Sequence, residues 1–208
     1  FMMGRNVFIS FRFNDGNRYK EELVKVLKDK SESVDYSEDK DRSQMSDYTI
    51  QSYLYDKLRE VSVVIILLTR GALKYKKNFY GNIDDWCYDE VRYALENRYD
   101  NKTKGLIAIY VPEIKNELMH ETIHMCKICG KEKSINTIYD FNHLFRKNMM
   151  NVKTDYKRNK CDGIYDSLHD SFCSLVSFDE FCLEPDKYIE NAFEKKENFY
   201  KYDLIKRL

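Results

Sequence analysis

"SVVIILLT", residues 62–69, is the stretch that decides the fold. Its apolar residues follow one another without polar alternation, so a strand built here must be covered on both faces. A strand with one wet face would alternate. An uninterrupted run is what the central strand of a parallel sheet needs, and this one is far shorter than the ~20 residues of a membrane-spanning helix.

On the upstream side, "NVFIS" (6–10) reads as a second buried strand. "NRYKEELVKVLKDK" (17–30) then sets Tyr19, Leu23, Val26 and Leu27 at helical spacing. "VDYSEDKD" (34–41) is a weak, exposed strand or loop. After it, "SDYTIQSYLYDKLREV" (46–61) places Ile50, Leu54, Leu58 and Val61 on one helical face, with Ser46 or Asp47 positioned to cap it. Downstream, "DDWCYDEVRYALENRY" (84–99) carries Cys87, Val91, Ala94 and Leu95 on one stripe, and the acids at its start suit the helix dipole. "GLIAIYVP" (105–112) is the next strand, ended by Pro112. Strands alternating with helices imply right-handed crossovers and a flavodoxin-like α/β fold, a parallel sheet of about five strands with helices on both faces.

Beyond Pro112 the pattern loosens. "EIKNELMHETIH" (113–124) is expected to be helical, residues 126–162 are polar and punctuated, and "SFCSLVSF" (171–178) reads as the last strand. "EPDKYIENAFEKKENFYK" (184–201) is a closing helix with Pro185 in its first turn. Phe1 precedes what reads as the natural start at Met2 or Met3, and no Gly/Ser-rich linker divides the rest. The expected organisation is one domain over 2–208: a core (2–113), an insertion (114–165), then a C-terminal extension (166–208) holding the final strand and helix.

Charge is balanced at 35 Lys+Arg against 35 Asp+Glu, so no basic field points to nucleic acid, and the short basic stretch at 153–160 reads as a solvated loop. With 17 Tyr and 12 Phe against seven Gly and two Pro, the chain has the burial that disordered sequences lack. No signal peptide or membrane segment is visible, and the expectation is a cytoplasmic protein whose six cysteines are not needed as disulfides.

Ligands of open parallel sheets bind beyond the carboxyl ends of the strands, where helix N-termini present unbonded N–H groups. That rule selects Ser10, Phe11 and Arg12 after the first strand, Thr69 after the central strand, and the helix start at Trp86. Trp86 and Glu90, four apart, share a helical face. A carboxylate at that mouth, beside an aromatic ring and an arginine, suits a ribose hydroxyl or a cationic sugar transition state. The plainer alternative is a solvated Glu90 and a Trp86 that anchors the core.

"NVFISFR" (6–12) resembles the first motif of TIR domains, and "DDWCYDEVRYALE" (84–96) resembles their WxxxE segment, whose glutamate is the catalytic residue of NAD-cleaving TIR enzymes. The resemblance implies Glu90 as the catalytic carboxylate, with Ser10, Phe11, Arg12, Thr69 and Trp86 around NAD+, which is substrate and not cofactor. Within the family, "SFCSLVSFDEFCLEPDKYIENAFE" (171–194) is similar to the tail of TIR-like ThsB subunits of bacterial Thoeris anti-phage systems; residues 114–165 have no counterpart in that pattern. The likeness implies loss of nicotinamide and a cyclic or modified ADP-ribose that signals to a partner effector. It also leaves room for self-association or a phage-derived activator. A plain NAD-depleting enzyme and a non-enzymatic assembly module remain the alternatives.

"HETIHMCKICG" (120–130) holds both HExxH and CxxCG. HExxH binds zinc when its histidines sit one helical turn apart and a third ligand follows, but Lys127 and Gly130 stand where the extended protease motif needs Gly and His. The protease pattern is therefore read as chance, and no metal residue is assigned. CxxCG could hold a structural zinc with His120 or His124, yet no second CxxC completes a ribbon; unliganded thiols are the default. Cys161, Cys173 and Cys182 fit no metal spacing and read as core residues, and the isolated His143 and His169 read as structural.

Overall fold

The computed structural model describes residues 4–35, 47–73, 86–139, 141–161 and 163–207, and only the backbone of Asp47, Tyr48, Ile50 and Trp86. The run at 62–69 is strand β3 (Val63–Leu68), buried at every residue, and its neighbour β4 (Gly105–Tyr110) is buried throughout as well. The two run parallel, from Val63 beside Gly105 to Leu68 beside Tyr110. β1 (Asn6–Ser10) pairs with the other side of β3, and the two-residue β2 (Val34–Asp35) closes that edge. The last strand, β7 (Cys173–Ser177), lies along β4. Among the described residues the parallel sheet therefore has the order β2-β1-β3-β4-β7, the flavodoxin-like winding that reverses direction between β1 and β3.

Helices cover both faces, as β3 requires. α1 (Phe13–Lys30) packs beside α7 (Pro185–Glu197), and α2 (Asp47–Glu60) packs beside α3 (Trp86–Leu95). α1 begins four residues earlier than its apolar stripe suggests. α2 and α3 are joined by Tyr55 and Tyr93, whose rings stack at 4.0 Å, while Arg92 donates to Tyr55 and Arg59 to Tyr93. On the other face, the Arg5 guanidinium grips Glu190 through two hydrogen bonds (2.9 and 3.0 Å) and lies 3.5 Å from the Phe193 ring centre. Of the stretch at 34–41, only Val34 and Asp35 are described, and Ser46 also lies outside the described residues.

The segment expected to be an insertion, 114–165, departs from its predicted structure. Of the predicted helix, Glu113 and Ile114 lie in a 3-10 turn (Pro112–Ile114) and Lys115–Leu118 is α-helical (α4); from Met119 the chain is strand β5 (Met119–Met125), paired antiparallel with β6 (Glu132–Ile138). The turn between them explains why: Cys126 and Lys131 close it by a backbone bond of 3.0 Å, with Gly130 at φ +67°, a conformation glycine adopts without strain. A hairpin satisfies every second backbone group across the pair, which local helical spacing does not reveal.

Further along, α5 (His143–Arg146) buries Leu144 and Phe145. Asn148 holds the C-terminal tail by exchanging bonds with the backbone of Ile205 (2.7 and 2.9 Å). A short helix α6 (Phe178–Leu183) opens on a capping box between Ser177 and Glu180 before α7 starts at Pro185.

Two buried details of α7 govern stability. A Cβ at Gly105 would stand 2.4 Å from the Ala192 carbonyl oxygen, so glycine lets the helix backbone touch the sheet. Lys195 is buried, donating to the carbonyls of Leu168 (3.1 Å) and Ser171 (2.9 Å) and to the Ser174 hydroxyl, and burial pulls its pKa down to about 7. The folded chain therefore binds fewer protons than the unfolded chain between pH about 7 and 10.5, and this lysine makes stability rise with pH across that window.

Two outcomes are expected in urea denaturation. Gly105→Ala lowers stability by about 3 kcal/mol, because the helix must move off the sheet. Lys195→Met, compared with the parent from pH 7.5 to 9.5, loses a slope approaching ~1.4 kcal/mol per pH unit; equal slopes would mean that the ammonium stays charged in the fold.

Candidate active site

In sheets of this winding the ligand crevice lies where the order reverses, here at the carboxyl ends of β1 and β3, and β1 delivers Ser10 to that end. Glu90 reaches the same point from the middle of α3. The Ser10 hydroxyl donates to the Glu90 carboxylate, and both residues are nearly closed to solvent, at 4% and 6% exposure. A carboxylate so buried needs a donor, and the chain supplies it from an element 80 residues away. Cys87, three residues before Glu90 and so on its helical face, sets its sulfur 3.5 Å from the same hydroxyl.

Phe11 and Arg12 occupy the turn from β1 into α1, both half-buried. Arg12 is the residue that caps α1, and its carbonyl accepts from the Gly16 N–H at 2.7 Å. Phe11 lies against Gly16, where a Cβ would sit 3.3 Å from the ring edge, so the small residue shapes this turn.

Thr69 is buried at the end of β3, but its hydroxyl is engaged elsewhere. It donates to Asp15 in the first turn of α1 (2.8 Å), whose other oxygen accepts from the Gly71 N–H (2.8 Å). Thr69 thus locks the β3 end to α1, with Asp15 as the hub. Trp86 begins α3; its side chain lies outside the described residues.

The structure accordingly brings Ser10 and Glu90 into contact, places Phe11 and Arg12 on the adjoining turn, and gives Thr69 a locking role. Sequence reading passed over Cys87 as a bearer of site chemistry, although its helical offset from Glu90 was visible; Asp15 carried no local signal, since its partners are more than fifty residues away.

The pair has clear chemical use. A buried negative charge at a low-dielectric mouth accepts hydroxyl groups of a polar ligand and favours positive charge that develops on it. No such use remains for HExxH, which lies on β5. Four residues along a strand separate His120 from His124 by about 13 Å and turn Glu121 to the opposite face.

A cavity of about 900 Å³ lies elsewhere, between the hairpin and the β4 and β7 ends, lined by Tyr110, Met119, Ile138, Arg146, Tyr165 and Glu180 among others. None of the residues selected at the β1 and β3 ends lines it. Among the described residues, no helix is long and apolar enough to cross a membrane.

A family model described as TIR domain matches residues 7–139, a span that runs from β1 through the hairpin. It covers the Ser10 turn, the central strands and the α3 segment that carries Glu90. With the sheet order and this match in agreement, the chain belongs to the TIR domain family.

Proposed function

We propose that this chain is an NAD+-cleaving TIR enzyme with Glu90 as its catalytic carboxylate. The observation that carries the reading is the buried contact between Ser10 and Glu90 at the winding reversal. Many TIR domains cleave NAD+ and many only assemble; a scaffold has no use for a carboxylate buried at the ligand-binding end of the sheet and held there by a hydroxyl.

In this mechanism the Glu90 carboxylate accepts the ribose hydroxyls of NAD+ and stabilises the cationic, oxocarbenium-like sugar as the bond to nicotinamide breaks. The electron pair of that bond leaves with nicotinamide, which departs neutral. Ser10 positions the carboxylate. Phe11 and Arg12 contact the dinucleotide from the β1–α1 turn, Trp86 is assigned to it from the first turn of α3, and Thr69 acts by holding the turn in place through Asp15.

The finer reading is that the anomeric carbon is captured by a nucleophile other than water, giving a cyclic or modified ADP-ribose that activates a partner effector in anti-phage defence. Support for it comes from the resemblance of residues 171–194 to the tail of ThsB subunits of Thoeris systems, beside the general TIR motifs at 6–12 and 84–96. Excluding water from the crevice would decide between capture and hydrolysis.

Nicotinamide release from NAD+ by the purified chain, assayed with and without lysate of phage-infected cells, is expected to fall at least ~100-fold in Glu90→Gln. Retained activity in that variant would remove Glu90 from the mechanism. Ser10→Ala is expected to cost about ten-fold, the effect of losing one hydrogen bond to a charged group, through kcat more than KM. Mass spectrometry of the product separates a signalling nucleotide from plain ADP-ribose. A chain that stays inert in every condition yet forms complexes, unaffected by Glu90→Gln, would instead be an assembly module.

A further inference from the structure

We propose that Cys126, Cys129 and Cys161 bind a structural zinc ion that clamps the β5–β6 hairpin to the chain returning toward β7. The sulfurs of these three residues lie within 4.8 Å of one another, and those of Cys129 and Cys161 are 3.8 Å apart. Zinc–thiolate bonds of about 2.3 Å in a tetrahedron put neighbouring sulfurs about 3.8 Å apart, whereas a disulfide needs about 2 Å. Cys126 and Cys129 come from one tight turn. Cys161 arrives from a separate segment 32 residues beyond Cys129, which local spacing in the sequence does not foretell.

The turn has the shape of a metal knuckle. Gly130 at φ +67° lets its N–H reach the Cys126 carbonyl at 2.8 Å, folding both cysteines toward one side. Thiolate donors select zinc over hard cations such as magnesium or calcium. The fourth ligand we assign is His124, whose ring nitrogens stand outside the 4.8 Å group of sulfurs and must turn toward it: its Nε2 is buried without a hydrogen-bond partner among the described residues, and its ring lies against Gly163, two residues past Cys161. A Cβ at Gly163 would stand 2.8 Å from that nitrogen, so glycine leaves the histidine its place.

The hairpin itself shows why a staple is needed. Neither β5 nor β6 contains a fully buried residue, and Ile123 and Met125 are 76% and 53% exposed. A two-stranded hairpin with so little apolar burial is marginal alone, and metal binding contributes folding energy directly where a core does not. The hairpin and the segment at 163–167 form two walls of the 900 Å³ cavity, so an ion that joins them also sets its width. This inference stands apart from the NAD+ reading and is tested without it.

Full-length protein purified without chelators is expected to carry close to one zinc per chain by elemental analysis. Reduced metal-free protein titrated with cobalt(II) chloride should develop sulfur-to-cobalt charge-transfer absorption that saturates near one equivalent, is displaced by zinc, and releases about three protons per ion as the thiols become ligands. Cys129→Ser and Cys161→Ser are expected to lose the band, Cys182→Ser to keep it, and His124→Gln to weaken cobalt binding at least ten-fold. Protection of Cys129 and Cys161 from alkylation in the zinc-bound parent gives the same answer where a variant does not fold. No thiolate band in the parent, an unchanged band in Cys161→Ser, or a Cys129–Cys161 disulfide in fresh protein would overturn the site; unchanged affinity in His124→Gln would strike the histidine from it.

Discussion

A strand with no wet face cannot stand at the edge of anything. β3 is buried at all six residues and β4 likewise, so each needs a strand on both sides and a helix above and below. That requirement produces the parallel order, the crossovers, and the reversal of winding between β1 and β3 that leaves a crevice at the carboxyl ends. Everything at the crevice depends on it: Ser10 is there because β1 ends there, and Glu90 because α3 must cover β3 and β4. The Asp15 link to Thr69 and Gly71 then holds the mouth by tying the start of α1 to the end of β3.

The core was legible because its signals are local. Apolar runs without alternation gave β1, β3 and β4, 3.6-residue stripes gave α1, α2 and α3, and Pro185 marked the first turn of α7, with boundaries off by a few residues where caps decide the ends. The insertion was not legible because its order comes from distant pairings. "EIKNELMHETIH" satisfies helical spacing, yet from Met119 its backbone bonds go to β6 across a turn set by Gly130. Residues 141–171 have no period at all. They are held by asparagine side chains that replace ladder bonds, Asn148 to Ile205 and Asn151 to Asp203 and Phe172, contacts a linear reading has no means to find.

The same division runs through the functional groups. Ser10 was legible as the end of a strand and Glu90 as the residue one turn past the helix start at Trp86, and their contact needed only the fold to be right. Thr69 was placed correctly in the chain, but the direction of its hydroxyl depends on Asp15, on a different helix. Cys161 was read as a core thiol on spacing alone; it is only partly buried and lies beside Cys129. Spacing rules for metal ligands work within one knuckle and say nothing of a thiol that another segment brings beside it.

The segment between β4 and β7 is an enlarged crossover. In a plain doubly wound sheet the link from β4 to the next parallel strand is one helix, and here α4, the hairpin, α5 and the asparagine-held segment occupy that link. The covering function survives, since Phe141, Leu144, Phe145 and Met149 are buried in the same core as the strands. What is gained lies at the β4 and β7 ends, where the hairpin and the return segment enclose a cavity away from the Glu90 crevice. The sheet tolerates the enlargement because α7 closes it independently: Gly105 lets α7 touch β4, Arg5 grips Glu190, and Lys195 ties α7 to the residues leading into β7. A crossover relieved of holding the fold together can be elaborated, and this one reaches from the β4 and β7 ends to Arg70 beyond β3, which bonds Glu117 of α4.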